Sequence, residues 1–362
     1  MRTGLEPMKP SKDHTHASLG RIEDSKALDY FQPPTIFDEA LDAYKEWQHF
    51  SVFDRATNLF ALFNFSVSGN PFDSRSAICA RTTVIRTPEG AIIGAIEPLE
   101  VDGVKLSHLD PGIAFRGVSV TYGDSAYRVF CDMETVPVRA DLSLQIASEP
   151  FTTHTRPFGT GFLGWTVFPR MKVTGRIWVS EHEYRIRNAS GYHDHDWGRF
   201  YWGERIGWNW GIFLEDRASG ITILFDQSTT GIGSAAITSG LLIYKGNTLF
   251  KSFSETEVSV DFAGTFGKNT ITFPGLFRAA YHKASCQLPE EITLKASAPT
   301  TGRIVVKFKP DCVVQLIAPN HCGPGETQLN QMVGKIEIHN SLKGIVMSPK
   351  VRGYMEFVGP LP

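Results

Sequence analysis

With 362 residues, 42% of them hydrophobic and 12% aromatic, the chain is long enough for about two domains and apolar enough to bury a large core, which excludes global disorder. Its 36 basic and 38 acidic residues leave a formal charge of -2, too even for a nucleic-acid partner or an anionic membrane surface, which need clustered Lys and Arg. No stretch reaches the roughly 18 apolar residues of a membrane span, and the polar start carries no secretory pattern, so a cytoplasmic chain is expected.

In chain order, residues 1–34 read as a flexible tail ending at Pro33-Pro34. One short helix is predicted over roughly Phe37 to Phe50. Thr35 would cap it, Asp38 sits in its first turn, and Leu41, Tyr44, Trp47 and Gln48 recur at helical spacing. Beyond it the dominant period is two. Met171, Val173, Gly175, Ile177 and Val179 alternate with Lys172, Thr174, Arg176, Trp178 and Ser180, and Val258 to Phe262 and Ile336 to Ile338 repeat the pattern. Turns are signalled at Thr87-Pro88-Glu89-Gly90 and Tyr244-Lys245-Gly246-Asn247. The expectation is an all-β fold of two antiparallel β-barrel or sandwich domains, 35–215 and 216–362, dividing near Glu215 to Ser219, with a pocket between them or in one barrel mouth.

The cysteines Cys79, Cys131, Cys286, Cys312 and Cys322 are odd in number, with no C-x-x-C spacing, so free thiols in a reducing compartment are expected. Gly159 to Gly164 fits G-x-G-x-x-G but runs into a β pattern instead of a helix. There is no phosphate-binding loop and no Gly-x-Ser-x-Gly elbow, so no cofactor is expected.

The chemistry concentrates in Gly191-Tyr-His-Asp-His-Asp-Trp-Gly198, and six of the seven tryptophans lie between Trp165 and Trp210. On a strand, His193, His195 and Trp197 would face one way and Tyr192, Asp194 and Asp196 the other. The candidate catalytic residues are His193, Asp194, His195 and Asp196, with Asp194 orienting His195 and Asp226 in reserve. Tyr192, Trp165, Trp197, Trp202, Trp208 and Trp210 would form a substrate-binding wall, with Glu204 as a further acid. The competing reading is a buried polar knot tying strands together, with the tryptophans as ordinary core. His193 and His195 could ligate a metal with Asp226 or Glu215, but no third ligand stands at firm spacing, so no metal is expected.

The octet resembles the Gly-Tyr-His-Asp-His-Asn-Trp-Gly signature of the carotenoid 1,2-hydratase-like (hydroxyneurosporene synthase-like) proteins. Gly164-Trp165 to Pro169, Val173-x-Gly175 and Gly353-Tyr354-Met355-Glu356 are similar to that superfamily too, so the likeness covers most of residues 40 to 360. The resemblance implies a tandem lipocalin-like β fold with a hydrophobic pocket, and catalytic roles for His195, Trp197 and Asp226. It also implies a choice of activities: hydration of terminal isoprenoid double bonds, Diels–Alder cyclisation of polyenes, or rearrangement of prenyl epoxides of quinolone alkaloids. Two positions depart from the pattern. Leu224 stands where a tyrosine is expected, and Asp196 where the family usually carries Asn. A carboxyl group in an apolar pocket can deliver a proton, which an amide cannot. The expected function is therefore a cofactor-independent cyclase or isomerase of secondary metabolism: acid-assisted epoxide or polyene rearrangement, or pericyclic cyclisation, of a hydrophobic prenylated or polyketide small molecule. The alternatives are a hydratase acting on an isoprenoid C=C and a non-catalytic lipocalin-like carrier; oligomeric state is left open.

Overall fold

The computed structural model describes residues 17–73, 77–100, 105–106, 111–215, 220–232, 234, 236–267, 270–273, 288–299, 302–321, 325–347 and 351–360. Cys286, Cys322, residues 1–16 of the expected tail and residues 216–219 at the expected division lie outside them. The fold is mostly β, as the alternating pattern predicts: two antiparallel sheets, one a curled half-barrel, and a short N-terminal helix, Ser25–Leu28. The first sheet runs through Leu59–Ser68, Tyr44–Asp54, His182–Arg199, Gly161–Val179 and Val138–Ile146 as successive neighbours. The second runs through Ile221–Thr229, Gly207–Glu215, Val351–Pro360, Glu326–Asn340 and Gly302–Pro319. Among the described residues one pair departs from the antiparallel rule, Thr270–Phe273 lying parallel to Gly302–Pro319. The chain passes between sheets after Arg199 and before Gly207, so Gly207–Glu215 belongs to the second sheet.

The helix predicted over Phe37 to Phe50 is not there. Leu41–Ala43 is a single 3₁₀ turn, Ala40 takes a left-handed φ of 52°, and Tyr44–Asp54 is a central strand. Thr35 and Asp38 bond each other in a turn, the Thr35 N–H donating to Asp38 Oδ2. The cause of the misreading is burial on both faces. Every residue of the strand is buried except Trp47, which is partly so, and no polar face remains to mark a period of two. Nor is the expected tail loose throughout. Leu19 pairs with Phe151 on an edge strand, and Asp29 and Phe31 are fully buried against the first sheet.

Apolar side chains collect in three clusters. One fills the first sheet around Phe50, Phe63, Tyr127 and Phe168, and one the second sheet around Phe213, Ile243, Val306 and Met355. The third lies between the sheets, mixing Phe53, Leu62, Trp165 and Tyr192 of the first with Trp208, Trp210, Ile212 and Tyr354 of the second. Arg170 clamps this junction from the first sheet: its guanidinium donates to Thr222 Oγ1 (3.1 Å) and to the Glu215 (3.0 Å) and Ile221 (3.2 Å) carbonyls.

Candidate functional site

The octet lies in the strand His182–Arg199, and its side chains alternate as the sequence predicts. His193, His195 and Trp197 turn into the first sheet. There the imidazoles meet residues the sequence reading passed over. His193 Nδ1 donates to the His49 carbonyl at 2.9 Å, and its Nε2 lies 3.1 Å from Asp29 Oδ2. His195 is held between Asp29 Oδ1 (3.3 Å) and Glu46 Oε1 (2.8 Å). Tyr127 donates its hydroxyl to Asp29 at 2.6 Å, and Tyr44 donates to Glu46. Phe50 stacks on His193 with centroids 4.2 Å apart, and Phe31 covers His195 at 5.1 Å. Burial disfavours every charge here, yet Asp29 is held down at about 2 by its two histidines, and His195 is pushed up to about 10 by Asp29 and Glu46. The histidine face is thus a sealed ionic buckle that fastens the segment carrying Asp29 and Phe31 to the sheet. Asp194 does not orient His195; Asp29 and Glu46 do. Nor do Asp226 and Glu215 join the histidines, since both lie on the second sheet, and among the described residues no cluster suits a metal ion.

Tyr192, Asp194 and Asp196 turn the other way, toward the second sheet. The pairing registers lay out two facing surfaces. On the first sheet Asp196 sits between Trp165 and Trp47, and Asp194 between Val167 and His49. On the second, Trp210 sits between Asp226 and Glu356, and Glu356 in turn neighbours Gln331. Trp47 and Trp208 meet across the gap nearly parallel, their centroids 6.3 Å apart, and Tyr192 meets Trp210 at 4.8 Å. The two surfaces pack into a buried aromatic layer between the sheets, which we call the chamber, with carboxyl groups among its rings.

Each carboxyl has a different environment. Asp194 Oδ2 accepts from the Tyr192 hydroxyl (2.6 Å) and from Trp165 Nε1 (3.4 Å), while its Oδ1 is buried without a partner among the described residues. Burial lifts its pKa to about 7 against the pull of those two donors. Asp196 has no hydrogen-bond partner among the described residues; burial first, then the neighbouring Asp194, hold it well above the usual carboxylate range. Glu356 is raised by burial too, but both its oxygens are occupied, one by Trp208 Nε1 (2.8 Å) and one by the Gln331 amide. Buried carboxyl groups with few donors stay neutral at neutral pH and can give up a proton.

His49 adds a neutral imidazole to this wall. Its Nε2 bonds Tyr354 and Ser51 (2.8 Å), and burial lowers its pKa to about 3. With Tyr354 donating to Nε2, the ring proton belongs on Nδ1. His49, Tyr354, Glu356 and Trp47 are therefore components of the chamber outside the predicted set. Reading Trp47, His49, Ser51 and Phe53 at a period of two would have placed His49 and Trp47 beside the aspartates.

The remaining candidates fall at the edge or elsewhere. Asp226 pairs with Arg156 at 2.8 Å across the sheets, with both side chains partly exposed. Leu224 packs in the inter-sheet cluster. Trp202 is partly buried beside Phe200 and Trp208, and Glu204 is bound to the Thr160 amide (3.0 Å) and hydroxyl in a turn. Trp197 lies over Gly164 on the histidine side, where a Cβ would come within 2.4 Å of its ring.

No protein-family model matches the chain, and no curated protein matches it in sequence. Solved structures do match it over nearly its whole length. A putative AttH from Nitrosomonas europaea aligns with a TM-score of 0.63 at 14% identity, over 92% of this chain and 98% of that one. Kievitone hydratase from Nectria haematococca aligns at 0.56 and 13% identity, over 87% and 88%. CghA, solved with Sch210972, aligns at 0.56 and 12% identity, over 96% and 99%. The chain therefore shares the fold of AttH-like proteins, kievitone hydratase and CghA, the fold class that the resemblance of the octet implies.

Proposed function

We propose that the chain is a cofactor-independent enzyme that rearranges or cyclises a hydrophobic small molecule, of prenylated or polyketide type, by acid assistance in the inter-sheet chamber. One observation carries this reading: Asp196, held by burial well above the usual carboxylate range and without a hydrogen-bond partner among the described residues, stands two positions from a second raised carboxyl and between Trp47 and Trp165. Asp196 gives its proton to an epoxide oxygen or an alkene carbon. The C–O bond then opens, or the second alkene carbon becomes cationic. Indole faces stabilise the positive charge by roughly 0.5–2 kcal/mol each. Ring closure by an internal nucleophile, or loss of a neighbouring proton, quenches the cation and returns a proton to the Asp196 carboxylate. A chamber that selects the folded conformer contributes as well, up to roughly 7–11 kcal/mol for well-oriented intramolecular reactions.

A second reading is favoured by the fold shared with kievitone hydratase: the same acid with capture by water. CghA was solved with Sch210972, and its shared fold supports a small-molecule ligand for this chain. The test is incubation of the pure protein with prenylated and polyene substrates without added cofactor, read by mass spectrometry. An isomerase leaves mass unchanged and a hydratase adds one water. Asp196→Asn is expected to lower turnover by about 10² to 10⁴ while leaving the fold intact. Unchanged turnover in that variant removes Asp196 from the chemistry. Tight binding of the polyene with no product in any trial refutes the enzyme reading in favour of a carrier.

A further inference from the structure

Two polar atoms in the chamber have no use for the fold. Trp210 Nε1 is a buried donor with no acceptor among the described residues, and Asp194 Oδ1 is a buried carboxyl oxygen with no partner. They belong to opposite sheets, yet both border Tyr192: its hydroxyl binds the far oxygen of Asp194, and its ring packs on Trp210. The neighbouring indole and phenol groups of this wall are occupied. Trp208 Nε1 is spent on Glu356, Trp165 Nε1 on Asp194 Oδ2, and Tyr354 on His49 and Ser51. Because Asp194 Oδ2 already receives two donors, a proton on this carboxyl belongs on Oδ1, so both idle atoms present hydrogen to the chamber. A buried donor left unpaired is costly, and native structures seldom keep one without a function.

We infer that Trp210 Nε1 and Asp194 Oδ1 form a two-donor cradle for an acceptor oxygen, so that the substrate carries a carbonyl, epoxide or ether oxygen within its apolar body and is not a plain hydrocarbon. This rests on the proposed chamber and sharpens it. It separates an oxygenated prenyl or polyene substrate from an unfunctionalised isoprenoid, which would leave both donors stranded. A site built to hydrogen-bond a group discriminates strongly against an analogue that lacks it. With Asp194 protonated the cradle offers two neutral donors, which suits a neutral oxygen over a carboxylate.

The experiment uses a matched pair of probes, β-ionone and the isosteric hydrocarbon in which a methylene group replaces its carbonyl oxygen. Binding to the full-length protein at pH 6 is measured by tryptophan fluorescence and by the indole N–H resonances of ¹⁵N-labelled protein. The ketone is expected to bind about tenfold more tightly than the hydrocarbon and to shift one indole N–H signal, the signal absent from Trp210→Phe. That variant is expected to bring the two probes to within about threefold of each other, a ratio that a change in pocket shape alone would not move. Raising the pH from 6 to 8 should weaken the ketone alone, as Asp194 loses its proton. Equal binding of both probes to the unaltered protein overturns the cradle, because the two donors are then served by resident water, and leaves the apolar chamber standing. Binding of neither probe overturns both.

Discussion

Asp194→Asn is expected to make the protein more stable above neutral pH while impairing its chemistry. The carboxyl is buried, and its pKa rises from the ordinary 3.8 to about 7 on folding. A group raised in the folded state contributes stability that is fully present below its unfolded pKa and lost as pH climbs through the folded one. The loss therefore accrues between about pH 4 and pH 7. A shift of about three pKa units, at 1.36 kcal/mol each, puts it near 4 kcal/mol. Asparagine fits the same hydrogen bonds: its carbonyl can accept from Tyr192 and Trp165 as Oδ2 does, and its amide takes the idle Oδ1 position. It has no proton to lose. Across 362 residues, with about 2.1 cal/mol/K of unfolding entropy each, 4 kcal/mol corresponds to about 5 °C in Tm. Paired thermal scans of both proteins from pH 4 to pH 8 provide the assay. The variant should match the parent near pH 4, draw ahead through pH 7 and hold its lead above. A variant less stable than the parent at pH 8 would mean that the carboxylate is wanted there as an acceptor, and that the neutral-acid argument is wrong.

Turnover should fall with rising pH once the Asp196 carboxyl ionises, because the proposed reaction needs that group protonated; a rate that rises with pH would identify a base in its place. Asp29→Asn leaves His193 and His195 facing an amide and should cost about 3–5 kcal/mol, seen as earlier thermal unfolding and faster tryptic cleavage at Arg21 and Lys26; an unchanged cleavage rate would mean that the buckle does not hold this segment. His195 is raised on folding, so its share of stability is complete below pH 6.5 and lost as pH rises through about 10, and an alkaline unfolding step that survives in His195→Asn would contradict this. Gly164→Ala places a methyl group 2.4 Å from the Trp197 ring and should cost about 1–3 kcal/mol in urea unfolding, whereas a neutral result would show that the indole moves aside.

The parts of the molecule legible from sequence are those where one strand face differs chemically from the other. Met171 to Ser180 alternates apolar and polar residues, so its β character and facing are plain. The octet alternates imidazole against carboxyl, so its two faces separate correctly before any fold is known. Tyr44–Asp54 fails the same test because both its faces are buried, one by the first-sheet core and one by the chamber. Glu46 and His49 then sit in a run without a readable period. Asp29 was hidden for a different reason. Its burial depends on His193, 164 positions away, and nothing in the polar residues around it signals that contact. Glu356 and Tyr354 lie in a stretch that resembles the family, but their role follows only when Gly207–Glu215 pairs with Val351–Pro360 and brings Trp208 to the Glu356 carboxyl.

The two faces of the octet also act on each other through the strand that separates them. Burial alone would drive Asp194 and Asp196 so far up that neither would release a proton readily, and an acid that cannot ionise is a poor catalyst. The His195 imidazolium opposes that rise in both. Because His195 is itself kept charged by Asp29 and Glu46, its positive field persists up to about pH 10, well above the range in which Asp194 titrates. A general acid works best when its pKa lies near the operating pH. On this argument the buckle has two consequences. It fastens the N-terminal segment, and it supplies a fixed charge behind the aspartates that tempers the effect of their burial. A histidine on the opposite face of the strand thereby lowers the proton affinity of both aspartates, by less than burial raises it.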